Sequence, residues 1–237
     1  MENKEKRHIQ LPSTEGINDL TPQDQLVYLG LRSYMNKNTL QAFPSQESVS
    51  QRIGCCRNTL RKCIKNLVDK DYIKIVGKQG RNKIYQFNKL KQFEPFSYEF
   101  LEDRNITFTQ RALLASSQQY MKEKETGKGI IKYSKMELAE LINMPYPTLV
   151  KATRELANKD IINTTKLPSG KQQMEFALEK YHQGIVKVLL NHEQRIENTE
   201  DNIEELKAEN QDLKRKYSEL ESRLNELENK EKYVIFN

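Results

Sequence analysis

The sequence predicts a mainly α-helical protein with small β-hairpins (α+β): two similar units of three helices and a hairpin, then one long coiled-coil helix. Three observations carry this. The first is an ungapped internal repeat, in which "PSQESVSQRIGCCRNTLRKCIKNLVDKDYIKI" lies over "YSKMELAELINMPYPTLVKATRELANKDIINT". Val49 matches Leu138, Ile53 Ile142, Thr59 Thr148, Leu60 Leu149, Leu67 Leu156 and Asp71 Asp160, each pair 89 residues apart. Two copies mean two domains, since stacked solenoids need more repeats. The second is an alternating apolar stretch with a turn after each copy, the pattern of a hairpin. The third is a heptad pattern from Leu189 to Leu227.

These limits give a flexible N-terminus over residues 1–17, a first domain over 18–89, a linker over 90–104 and a second domain over 105–180. A parallel dimeric coiled coil over 185–232 and a tail over 233–237 complete the chain. In the first domain Thr21 caps "PQDQLVYLGLRSYM", with Pro22 suited to the first helical turn; in the second, Thr109 precedes "QRALLASSQQYM". Short apolar strands, "TLQAF" and "GIIKY", follow. The second helices open at Ser45 and at Ser134, where Glu137 completes a capping box. "GCC" after Ile53 and "NMP" after Ile142 read as tight turns. In the third helix of the first copy Leu60, Ile64 and Leu67 form one apolar face. "YIKIV", a turn from Gly77 to Asn82, and "KIYQF" make the hairpin.

Helix, turn, helix and hairpin, with Pro44-Ser45, Val49, Ile53-Gly54, Arg57 and Thr59 at their spacing, resemble the winged helix-turn-helix of bacterial regulators and of phage and plasmid replication proteins. The resemblance covers about 65 residues of each half of the chain. It implies two winged helix-turn-helix domains that bind double-stranded DNA. That family usually caps the third helix with a small polar residue; Cys56 and Pro145 stand there instead.

Charge agrees with a DNA partner. From Pro22 to Lys89 there are 13 Lys and Arg against 4 Asp and Glu, a net +9; from Asn105 to Lys180 there are 12 against 8, a net +4. With the apolar stripe inward, Asn58, Arg61, Lys62 and Lys65 fall on the outward arc of the third helix, and Arg57 and Thr59 near its start. Arg and Asn can donate to guanine and adenine edges in a major groove, and Lys suits phosphate. The hairpin adds Lys74, Lys78, Arg81 and Lys83. In the second copy Tyr146, Thr148, Lys151 and Arg154 take the corresponding places, with Lys166 and Lys171 in its hairpin. The apolar surface of Tyr146 and Val150 suits thymine methyls or a protein partner, and the tail "YVIFN" is a second place for one.

In the heptads Leu189, Ile196, Ile203, Asn210, Tyr217 and Leu224 occupy a, and Leu206, Leu213, Leu220 and Leu227 fill the last four d positions. Ile at a with Leu at d favours two strands, and a single Asn at a fixes register. Parallel pairing sets Arg195 against Glu200, Glu209 against Lys214, Lys216 against Glu221 and Arg223 against Glu228, all attractive; antiparallel overlap sets like against like. A homodimer is expected. Residues 190–237 carry 8 Lys and Arg against 13 Asp and Glu, so this segment is acidic and the rest of the chain meets the DNA.

No phosphate loop, HExxH or paired CxxC occurs, and His8, His182 and His192 are scattered. No catalysis, cofactor or metal is expected. The absence of a long apolar run and of a signal-like start argues against a membrane and for the bacterial cytoplasm. Cys55, Cys56 and Cys63, odd in number and clustered, read as reduced thiols. The expected function is sequence-specific duplex DNA binding as a homodimeric transcriptional regulator of a bacterium, phage or mobile element. The alternatives are an initiator on origin repeats of a plasmid or phage, and an adaptor whose winged helices bind protein.

Overall fold

The computed structural model describes residues 8–13, 17, 19–121, 128–166, 172–177, 207 and 210–218. Helix α1 (Pro22–Arg32) begins as its sequence dictates. Thr21 and Asp24 cap each other reciprocally, and Pro22 sits where no amide is needed. Ten of its eleven residues are buried. Such an all-round buried helix needs neighbours on every side, and α1 has them: helices α2 (Gln46–Ile53) and α3 (Arg57–Asp69) from its own repeat, and α5 (Phe108–Ser117) from the next.

Ser45 caps α2 through the Ser48 amide, and Gly54 ends it at φ 66, in the left-handed region where glycine carries no steric cost. On α3, Leu60, Cys63, Ile64 and Leu67 are buried. Burial of each of the three aliphatic side chains contributes about 1.5–3 kcal/mol. The first sheet has the order β2-β4-β3, from β2 (Gln41–Ala42), β3 (Ile73–Gln79) and β4 (Asn82–Phe87). The turn expected over Gly77 to Asn82 is tighter. Gln79 pairs with Asn82, leaving Gly80 and Arg81 as the turn, and Gly80 at φ 60 supplies the positive first position of a two-residue hairpin loop. Gly77 lies within β3 beside a register shift at Val76.

The element order returns in α5, β6 (Lys128–Ile131), α6 (Lys135–Leu141), α7 (Tyr146–Ala157), β7 (Ile162–Lys166) and β8 (Gln172–Ala177), with strand order β6-β8-β7. The backbone repeats with the sequence. Left-handed residues occur at Gly54 and Asn143, and at Asp71 and Asp160, both pairs at the 89-residue offset. Ser134 and Glu137 form the expected capping box of α6. Helix α5, however, starts at Thr107, two residues before the expected Thr109. Gln110 stands three residues after Thr107 and returns the capping bond, whereas Ala112 stands three after Thr109.

Two further expectations are corrected. Residues 9–12, placed in a flexible N-terminus, form β1 (Ile9–Pro12), and the stretch 90–104, placed in a linker, contains β5 (Phe93–Phe96) and the short helix α4 (Tyr98–Glu102). β1 and β5 pair antiparallel with Ile9 opposite Phe96. Ile9, Leu11, Phe96, Phe100 and Leu101 are all buried, so these segments belong to the core. Buried Arg32 fastens β1 by donating from Nη2 to Gln10 Oε1 at 2.9 Å and from Nη1 to Tyr28 Oη at 2.9 Å.

The chain divides into two compact units, Met1–Leu189 and Leu190–Asn237, and both repeats lie in the first. The described part of the second unit is a helical stretch, α8, over residues 210–218, together with Lys207. Asp212 pairs there with Lys216 at 2.8 Å and Arg215 at 3.9 Å. Of the heptad positions Asn210, Leu213 and Tyr217 fall in α8; Leu189, Ile196, Ile203, Leu206, Leu220, Leu224 and Leu227 lie outside the described residues.

Candidate nucleic-acid interface

Helix α3 is strongly two-faced. Opposite its buried stripe, Arg57, Asn58, Arg61, Lys62 and Lys65 are all exposed along one side, as their spacing requires. Two of the arginines are held by the preceding helix. Arg57 pairs with Glu47, and Arg61 Nε donates to Gln46 Oε1 at 3.2 Å. These two partners in the first turn of α2 escaped the sequence reading. Their position beside this exposed arc follows only from the angle between the helices, which the turn at Gly54 sets. Lys62 and Lys65 extend the charge along the helix.

Thr59 is half-buried and less available than expected, because its Oγ1 lies 3.1 Å from Cys56 Sγ. Cys56 is the N-cap of α3 and makes no side-chain cap bond, and Pro145 takes the same place before α7. The Thr59 hydroxyl stabilises the Cys56 thiolate and lowers its pKa, whereas burial raises those of Cys55 and Cys63. The exposed thiol is therefore the more reactive one.

In the hairpin Lys74, Lys78, Arg81 and Lys83 are exposed. Arg81 is at the turn, and Lys78 stands opposite Lys83 across the ladder. Such facing like charges repel by themselves. A neighbouring polyanion relieves that repulsion. Arg32 and Arg111, which also enter the charge totals of the two repeats, are buried and no part of any such surface.

The second repeat presents a sparser face. Tyr146, Lys151 and Arg154 are exposed on α7 and Thr148 is half-buried, above buried Leu149, Ala152 and Leu156. Lys151 faces Glu155 at 4.0 Å, so part of its charge is already answered. The side chain of Lys166, in β7, and the whole of Lys171 lie outside the described residues.

Among the described residues no group of three or more His, Cys, Asp or Glu is placed to hold a metal ion. No helix among them is long and apolar enough to cross a membrane.

A family model described as a helix-turn-helix domain matches residues 18–73, from the approach to α1 through the end of α3 to the first residue of β3. Residues 18–73 thus form a helix-turn-helix domain, with α2 and α3 as its paired helices and the Gly54 turn between them. No curated protein matches the chain.

Proposed function

We propose that this protein is a sequence-specific, double-stranded DNA-binding homodimer that regulates transcription in the cytoplasm of a bacterium, or for a phage or mobile element. The observation that carries this reading is the outward face of α3, where Arg57, Asn58, Arg61, Lys62 and Lys65 stand together on a rigid apolar-backed helix within a helix-turn-helix domain. Arg61 and Asn58 read base edges in the major groove; Lys62 and Lys65 hold phosphates. The hairpin of β3 and β4 acts as a wing, bringing Lys74, Lys78, Arg81 and Lys83 to the adjoining backbone. The second repeat is a second winged helix that adds Tyr146, Thr148, Lys151 and Arg154.

Dimerisation through a parallel coiled coil is supported within α8, where Leu213 and Tyr217 are 58% and 69% exposed in the single chain. Apolar side chains at d and a positions have a use when a partner helix covers them. Neither catalysis nor a cofactor enters this reading.

Selection of bound duplexes from a random pool, followed by titration of the winners against salt, tests it. The expected result is a two-part motif whose logarithmic affinity falls with the logarithm of salt at a slope steeper than about −5, as several phosphate contacts require. Failure to recover any motif, with no salt-dependent binding, overturns it. The two-copy architecture also supports an initiator on origin repeats, which predicts several tandem motifs and local melting instead of one palindrome.

A further inference from the structure

Two consecutive buried residues of α5 reach in opposite directions. Gln110 and Arg111 are each 1% exposed. Arg111 Nη1 donates to the carbonyl oxygens of Ile53 at 2.9 Å and Leu101 at 2.8 Å, and Nη2 donates to that of Ile106 at 3.1 Å and to that of Asp103. Ile53 is the last residue of α2, immediately before the Gly54 turn that aims α3. Gln110 Nε2 donates to Glu155 Oε2 on α7 at 2.7 Å, while its Oε1 accepts from the Thr107 amide at 3.0 Å and from Lys159 Nζ at 3.1 Å.

The chemistry of Arg111 is unusual for a core position. A buried guanidinium loses several kcal/mol of hydration. Here it is answered by four carbonyls, two of them at the C-terminal ends of α2 and α4, where unsatisfied acceptors and the negative end of the helix dipole gather. A leucine would fill the space at less cost in desolvation but would hold nothing in direction. The planar fork fixes distance and angle together.

We propose that Gln110 and Arg111 are positioning residues that lock α3 and α7 in one mutual orientation, so that each protomer reads two elements of a duplex at a single fixed separation. This rests on the DNA-reading role proposed above and adds to it a rule of spacing. Arg104 reinforces the lock from the surface, donating from Nη2 to the Gln51 carbonyl at 2.6 Å.

The test uses the full chain and duplexes recovered from the random pool. Arg61→Ala and Arg154→Ala assign the two elements within one protomer's footprint, and single base pairs are then inserted between them. Wild type is expected to lose about 100-fold in affinity on insertion, the scale of linkage lost when two modules cannot engage together. Arg111→Met and Gln110→Ala, with unchanged affinity for either element alone, are expected to lose less than about tenfold. Arg111→Lys, which keeps a charge and three donors, restores part of the discrimination. Folded variants that discriminate spacing as sharply as wild type overturn the proposal. Where Arg111→Met does not fold, Gln110→Ala and Arg104→Ala carry the same comparison.

A second readout needs no DNA. The Cys55 amide, bonded to the Ser50 carbonyl at 3.1 Å, closes the turn that Arg111 grips, and its hydrogen exchange is expected to quicken in Gln110→Ala as well as in the Arg111 variants. Unchanged exchange in all of them overturns the lock. Recovery of no duplex by wild type refutes the DNA reading alone, and the exchange measurement then decides the coupling.

Discussion

Arg61 Nε on α3 donates to Gln46 Oε1 on α2 at 3.2 Å, so the guanidinium most central to the exposed face is steered by the neighbouring helix. A steered arginine loses less rotamer freedom when it meets a base. Arg61→Ala is therefore expected to weaken specific binding by about 1–3 kcal/mol and to affect random duplexes far less. Gln46→Ala should act in the same direction and more weakly. Competition titrations with specific and random duplexes separate the two terms, and an equal loss on both sequences for Arg61→Ala would remove it from base reading.

Gly30 shows how closely α1 and α2 approach. A methyl group built there would stand 2.6 Å from Ile53 Cγ2 and 3.4 Å from Val49 Cγ1. Alanine gains up to about 1 kcal/mol over glycine in a helix. Overpacking a filled core costs about 1–3 kcal/mol, and the β-branched Ile53 has little freedom to turn aside. The clash should win. Gly30→Ala is expected to lower thermal stability by a few degrees; a raised melting temperature would show that the two helices separate readily.

Much of this arrangement was legible locally. The caps at Thr21, Ser45 and Ser134 follow from side-chain chemistry within three residues, and the buried face of α3 from its spacing. The Thr107 cap was legible too, since Gln110 gave the capping-box signal that Thr109 lacks. What escaped was non-local. β1 pairs with β5 from the far end of the first repeat, and each is four residues long and contains a proline, so neither announces itself as a strand. Nothing in the local sequence marks Gln110 and Arg111 as buried. Only the packing of α5 against α1 and α7 shows that they lie inside.

The end of α3 is fastened to the chain before α1 by a group that titrates. Tyr72 Oη donates to Asp19 Oδ1 at 2.6 Å, and Lys70 Nζ lies 3.4 Å from Asp19 Oδ2. The Tyr72 hydrogen bond is the main cause that holds the Asp19 carboxyl below its ordinary 3.8; burial, the next largest, opposes it, and the Lys70 charge supports it. A lowered folded-state pKa adds stability above the unfolded value and loses it as pH falls through the folded one. Tyr72→Phe should thus cost up to about 1 kcal/mol at neutral pH, and the difference from wild type should shrink below pH 3.8. Denaturant titrations of both proteins from pH 7 to pH 3 check this, and a difference that stays constant would place the effect outside the Asp19 contact.

In the proposed coiled coil Asn210 takes an a position, with Leu213 and Tyr217 of α8 following it at d and a. In a parallel two-stranded coil a buried Asn pairs with its own copy and disfavours other registers, at a cost in stability. Asn210→Leu should therefore raise the melting temperature of the coil while admitting trimers or larger species. Sedimentation equilibrium of the full chain and the variant separates these outcomes. A variant that is more stable and still purely dimeric would show that the flanking charges, and not Asn210, set the number of strands; a wild type that sediments as a monomer would remove the coiled coil from the proposed function.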